Sequence, residues 1–225
     1  MFLYKIETHL HTTYISHSGW LGAQAILKAY AAAGYAAICV TDHYNRACFD
    51  YADIDLTTPG SKTEAFLLGY RRLHREAEKY GIRIYEGAEL RFDESENDYL
   101  IYGFHHDLLA DPDRLMRGGL EQFVPAYRAD GALLIQAHPF RKKCTPAPAA
   151  WLDGVEVLNL NPRHDSRNDL ARAYAEEHGL IMTSGSDCHR PGDEAKGGIL
   201  SETLPEDGFA FADLLRTGKY QLITP

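Results

Sequence analysis

The sequence predicts an α/β fold closed into a barrel, and three observations carry that expectation. Short apolar runs alternate with helical patterns from one end of the 225 residues to the other. The apolar runs are continuous rather than alternating, as strands covered on both faces are. Roughly seven strand-then-helix units follow one another, which suits a closed barrel better than an open sheet. A mainly parallel sheet with helices outside it is therefore expected. No Gly/Ser-rich linker, low-complexity segment or repeat interrupts the pattern, so residues 1–225 are read as one domain.

FLYKIE (2–7) opens the chain as a strand, and LGAQAILKAYAAAG (21–34) follows as a helix stopped by Gly34. AAICVT (36–41) is a second buried strand, followed by a loop rich in Asp, Thr and Gly and a helix over 61–80 that ends at Gly81. IRIYEGAEL (82–90) and DYLIYGF (98–104) read as strands, and residues 111–129 as a helix. Strands at 132–140, 154–160 and 180–187, a helix at 170–179, a last helix at 208–217 and a short strand at 220–224 complete the order.

Hydrophobic residues make up 45% and charged residues 24%, enough apolar material for a packed core. A net charge of −9 and the lack of a basic run argue against long nucleic acid as a partner. The four cysteines, Cys39, Cys48, Cys144 and Cys188, form no CxxC pair, which points to a reducing compartment. No run of 18 apolar residues occurs, so a soluble cytoplasmic protein with no membrane partner is expected.

Function is suggested by where unusual residues fall. His9 and His11 end the first strand region and His43 the second; Glu89 ends the third, His138 the fifth, and Asp187 with His189 the last long one. In a βα barrel the C-terminal strand ends share one rim, so these residues converge. In His9-Leu10-His11 the imidazoles stand at i and i+2, on one side of an extended chain. Asp187-Cys188-His189 repeats that spacing and leaves Cys188 facing the other way, into packing. Imidazole and carboxylate together suit zinc, manganese or iron rather than a thiolate-held structural zinc. Any one of these short motifs is weak; their recurrence at strand after strand is the signal. His74 and His178 lie in charged helical stretches and read as solvated, and His164 reads as a structural loop residue.

The set HLHT, a following His, TDH, GAE, AHP and GSDCH resembles the PHP family, named for polymerase and histidinol phosphatase, over residues 9 to 189. The resemblance implies a distorted (β/α)7 TIM-like barrel with two or three divalent metal ions at the C-terminal rim. By resemblance, His9, His11, Glu89 and Asp187 hold one metal, Glu89 bridges to a second completed by His138, and His17, His43 and His189 hold a third. Many members carry Asp where this chain has His17, so that position is similar to the branch with histidinol phosphatases. Members place a histidine at the start of the fourth strand; here Asp98 stands there, with His105 and His106 as rivals for the role.

The implied activity is hydrolysis of a phosphate ester on a small phosphorylated metabolite, of the histidinol phosphate or nucleotide class, by a metal-activated hydroxide. His9, His11, Glu89, His138 and Asp187 would form the catalytic set. Arg163 and Arg190, and less so Arg141, follow strands and are expected to meet the substrate phosphate. Asp42 is expected to orient His43 from behind. An oligonucleotide phosphodiesterase or a non-catalytic metal-stabilised module are the competing expectations.

Overall fold

The computed structural model describes residues 3–51 and 61–225. The start of the first strand at residue 2 and the Asp- and Thr-rich part of the loop at 52–60 lie outside the described residues.

β1 (Tyr4–Glu7) leads through a long loop to α1 (Ala23–Ala32) and β2 (Tyr35–Val40). Gly34, at φ 78°, makes the left-handed turn that ends the helix and starts the strand. A two-residue β3 (His43–Tyr44), α2 (Arg46–Tyr51), α3 (Ser61–Phe66) and α4 (Leu68–Ala77) precede the long β4 (Arg83–Arg91). β5 (Asp98–Tyr102) is followed by α5 (Pro112–Asp130) and β6 (Leu133–Gln136). α5 starts with an Asp111 side chain accepting from the Arg114 N–H and with Pro112 in its first turn, and it kinks at Gly119, φ 76°. β7 (Gly154–Asn159), α6 (Asn168–His178), β8 (Ile181–Gly185), β9 (Ile199–Ser201), α7 (Gly208–Thr217) and β10 (Gln221–Leu222) complete the chain.

The strands lie in the order β10-β9-β1-β2-β4-β5-β6-β7-β8, with β3 beside β4. The segment after β8 closes back on the segment after β1 at the top, where Leu10 bridges Cys188 and the His11 N–H reaches the Cys188 carbonyl at 2.9 Å. The sheet is thus a nearly closed barrel. It is more mixed than the sequence predicts: β5 is antiparallel to both β4 and β6, and β9 is antiparallel to β1. The β4–β5 link spans only 92–97, too short for the crossover a parallel pair needs, so these strands form a hairpin.

Alternation along the strands sorts the core. Ile38 and Val40 of β2 pack with Ile26, Leu27 and Tyr30 of α1 and Leu73 of α4. Ala37 and Cys39, one step out of phase, join Ile6, Tyr85, Leu100, Tyr102, Leu133, Ile135 and Ile199 in an inner cluster contributed by six strands and capped by Phe211 and Leu215 of α7. A third cluster packs α5 against β4, β5 and β7. Burying one such Leu or Ile contributes about 1.5–3 kcal/mol, so these three packings fix the strand ends in place. No helix among the described residues is long and apolar enough to cross a membrane. The four cysteines are free thiols.

Candidate metal centre

The rim is built on a buried carboxylate that sequence reading passed over. Glu7, the last residue of β1, accepts hydrogen bonds from the backbone N–H groups of Thr8, His9 and Ser186, each at 3.0 Å. It also accepts from the Tyr30 hydroxyl at 2.7 Å and from the Ser186 hydroxyl. One side chain therefore ties the turn carrying His9 and His11 to the turn carrying Asp187 and His189.

His9 is fully buried, and its Nδ1 stands 2.9 Å from Glu156 Oε1 on β7. With Nδ1 engaged by Glu156, Nε2 is the ring nitrogen that faces the rim. That Nε2 lies 3.0 Å from His11 Nε2, 3.2 Å from Glu89 Oε1 and 3.5 Å from Asp187 Oδ1. His11 Nε2 is 3.4 Å from both Glu89 and Asp187. His43 Nδ1 stands 2.6 Å from Glu89 Oε2, and its Nε2 is 3.3 Å from His189 Nε2. His138 Nε2 is 3.3 Å from Glu89 Oε1 and 3.9 Å from Asp98 Oδ2. His138 and Asp187 hold left-handed backbone conformations, φ 30° and 47°, unusual for residues with side chains.

Electrostatics follow from this crowding. Burial would raise the Glu89 carboxyl, but His43, His9 and His11 hold it well below the usual carboxylate range. Asp187 is likewise held low against burial by His9 and His189. Burial drives His11 well below an ordinary imidazole, reinforced by His189 and His43. His9 goes well above it, because Glu156, Asp187 and Glu89 outweigh burial.

The donor set fits divalent cations on an observation internal to the molecule. Both oxygens of Glu89, His11 Nδ1 and His43 Nδ1 are buried without a hydrogen-bond partner, although other polar atoms lie within contact distance. Buried carboxylate oxygens left unpaired are costly, and a cation among them removes the cost. Among the described residues three groups bring ligand atoms within 4.8 Å of one another: His9-His11-Glu89, His11-His43-His189 and His43-Glu89-Asp98.

Most of the residues read from the sequence come together, with corrections. His17 is exposed and packs tilted against Tyr51 at 3.7 Å between ring centroids; His11 takes the place beside His43 and His189. The cause is local, because Ile15 and Ser16 are buried and turn the next side chain outward. Asp98 is buried at the rim, whereas His105 and His106 are exposed and pair with Asp130 and Glu86. Asp42 does not touch the His43 ring; it accepts from the Thr12 N–H at 2.6 Å and the Thr12 hydroxyl at 2.7 Å, pinning the loop after His11. Cys188 faces the core.

A cavity of about 320 Å³ opens over this cluster. Arg163 and Arg190 line it, together with Arg141, His164 and Arg91. Arg141 bonds Asp187 Oδ2 at 2.7 Å, Arg91 grips both oxygens of Asp98 at 2.7 Å, and Arg163 pairs with Asp193. Arg91, Glu7 and Glu156 were missed. The signal available was a charge inside an otherwise apolar strand, as in GVEVLNL.

A buried set of imidazoles and carboxylates at the C-terminal rim of a barrel defines a metal-binding barrel protein. The chain belongs to the PHP domain family, whose model matches residues 7–199. It is similar to a two-domain Bacteroides vulgatus protein containing a predicted PHP-like metal-dependent phosphoesterase, with a TM-score of 0.70 and 16% identity. That match covers 99% of this chain, which spans 65% of the other's length. It is also similar to PsfC from Pseudomonas syringae, with a TM-score of 0.68, 18% identity and coverage of 100% and 93%. A lesion-specific endonuclease from Pyrococcus furiosus aligns at a TM-score of 0.61 and 12% identity, over 98% of this chain and 58% of that one. At these identities the likeness shows the fold. No curated protein matches the chain.

Proposed function

We propose that the protein is a metal-dependent phosphoesterase acting on a small phosphorylated molecule. The observation that supports this most is the unpaired Glu89 carboxylate, buried among His9, His11, His43 and His138 beneath an arginine-lined cavity. Two or three divalent ions (zinc, manganese or iron) would be held by His9, His11, Glu89, His138, Asp98, Asp187, His43 and His189. When bound, such ions supply Lewis acidity toward a phosphoryl oxygen and generate a nucleophile from water near neutral pH.

The chain's own residues do the rest. Glu156 fixes the His9 tautomer, and Arg141 holds Asp187 in place. Arg163 and Arg190 contact the substrate phosphate from the cavity wall, where guanidinium geometry suits it. His164 also lines the cavity; burial and then Arg141 hold it below the ordinary imidazole range, so it meets substrate as a neutral hydrogen-bonding group. The cavity is at the small end of the ligand-site range, which favours a metabolite such as histidinol phosphate or a nucleotide over a polymer. The net charge of −9 points the same way. Four free cysteines suit a cytoplasmic setting.

The test is turnover of a phosphomonoester panel, with single-stranded oligonucleotides as a second arm, by manganese-supplemented protein. Wild type should release phosphate, and His138→Ala should lose at least about 100-fold in kcat/KM, as expected when a ligand of the reacting group is removed. Cleavage of the oligonucleotide alone would replace this reading with the phosphodiesterase one. No turnover by either form would leave a non-catalytic metal-stabilised module.

A further inference from the structure

Four arginines line the cavity, and three of them are already neutralised. Arg91 grips Asp98, Arg141 is bonded to Asp187, and Arg163 takes both oxygens of Asp193. Two carboxylates stand three residues from Arg190 in sequence: Asp187, which Arg141 holds, and that same Asp193, which accepts from the backbone N–H groups of His189 and Arg190 as well. Its acceptor capacity is spent on the backbone and on Arg163. Among the described residues the Arg190 guanidinium thus has no carboxylate partner. What holds it is an aromatic face: its Cζ lies 4.2 Å from the ring centroid of Trp20.

Trp20 is itself anchored through its main chain. The Trp20 N–H donates to the His189 carbonyl at 2.7 Å, and the Thr13 N–H donates to the Leu21 carbonyl at 3.0 Å. Gly19 allows this close packing, since a Cβ there would sit 2.0 Å from the Thr12 carbonyl oxygen. The 13–20 loop is therefore clamped against the segment that carries Arg190, while the Trp20 side chain stays 60% exposed. A guanidinium held by its face over an aromatic ring keeps its in-plane N–H donors free. A free arginine side chain would instead spread over many rotamers.

We propose that Trp20 is a positioning residue that holds Arg190 at the cavity wall as its one uncompensated guanidinium, ready to dock phosphate oxygens. The inference rests on the reading of this cavity as a phosphate-ester site. An arriving phosphate must compete with a carboxylate at Arg91, Arg141 and Arg163. At Arg190 it displaces only water, so docking there costs least.

The test uses inorganic phosphate as the probe, titrated calorimetrically into the manganese-loaded full chain, so it does not depend on turnover. Trp20→Leu should weaken phosphate binding roughly two- to fivefold, the size of an exposed cation–π contact, and Trp20→Phe should restore most of it. Arg190→Gln should weaken binding at least as much, and adding Trp20→Leu to it should cost nothing further, since the two residues act as one unit. In a Trp151→Phe background the emission of Trp20 should change as phosphate binds, and Arg190→Gln should abolish that change. On a turned-over ester, Trp20→Leu should raise KM and leave kcat near wild type. Phosphate affinity unchanged by Trp20→Leu, or additive losses in the double variant, would overturn the proposal, as would failure of phosphate to bind the wild type. Intact phosphate binding with this mutational pattern, but no turnover of any ester, would sink the enzymatic reading and leave the Trp20–Arg190 assignment standing.

Discussion

Glu156 shows how a single side chain sets the chemistry of the rim. Three donors converge on it: His9 Nδ1 at 2.9 Å, the His138 N–H at 3.2 Å and Asn159 Nδ2 at 2.9 Å. A carboxylate accepts all three, whereas a glutamine amide offers one acceptor oxygen and an NH2 that opposes a donor. Glu156→Gln should therefore leave His9 in mixed tautomers and weaken metal binding about 10- to 100-fold, the usual cost of losing a partner behind a metal-ligating histidine. Competition with a chromogenic chelator reads this directly; affinity equal to wild type would show that His9 does not depend on Glu156. The histidines were legible because an imidazole at a strand end is conspicuous. Glu7, Glu156 and Arg91 were not, because a charge in a strand reads by default as facing solvent. His17 differs in the other direction: the resemblance placed it at the centre, and it lies exposed against Tyr51, after the buried Ile15 and Ser16.

At the scale of elements, α4 is held against the rim by the smallest side chain available. A Cβ on Gly69 would stand 2.0 Å from Asp42 Oδ2 and 2.4 Å from Thr12 Oγ1, the pair that anchors the loop after His11. Gly69→Ala gains about 1 kcal/mol of helix propensity and meets an overpacking cost of about 1–3 kcal/mol. The overlap is with a hydrogen-bonded, buried pair that has nowhere to move, so the cost should win and Tm should fall. Gly118 in α5 is the comparison, since a Cβ there meets only the flexible Gln122 side chain, at 3.3 Å. Gly118→Ala should leave Tm unchanged or higher; equal falls in both variants would refute this account of the α4 contact. The long elements were predicted close to where they lie, because ten or more residues carry a clear period. β3, β9 and α2 were missed because two, three and six residues carry almost none. Strand direction was the deeper error. Apolar content records burial on both faces and says nothing of polarity, while the short 92–97 connection does.

Across the whole molecule, the rim joins what the sequence keeps apart. Residues following β1, β2, β6 and β8 meet Glu89, near the end of β4, within one cluster, and Asp98 brings in the start of β5. The direct closure of the barrel there is slight, resting on the Leu10–Cys188 bridge and its hydrogen bonds. Cations bound among these side chains would cross-link most of the barrel, so metal binding and global stability must be linked. At a free metal concentration 100 times Kd, one site adds about 2.7 kcal/mol. For a domain of this length each kcal/mol is worth about 2–4 °C. Chelation of gently purified protein, with metal content followed by elemental analysis, should therefore lower Tm by about 5–10 °C for each tight site emptied. Adding manganese back should restore it, and Glu89→Gln, which weakens the shared carboxylate, should blunt both the fall and the recovery. A Tm indifferent to chelation in protein shown to have carried metal would mean that the rim is preformed by packing alone. The Glu7 hub and the inner core under Tyr102 would then be sufficient to hold five strand ends against their mutual repulsion.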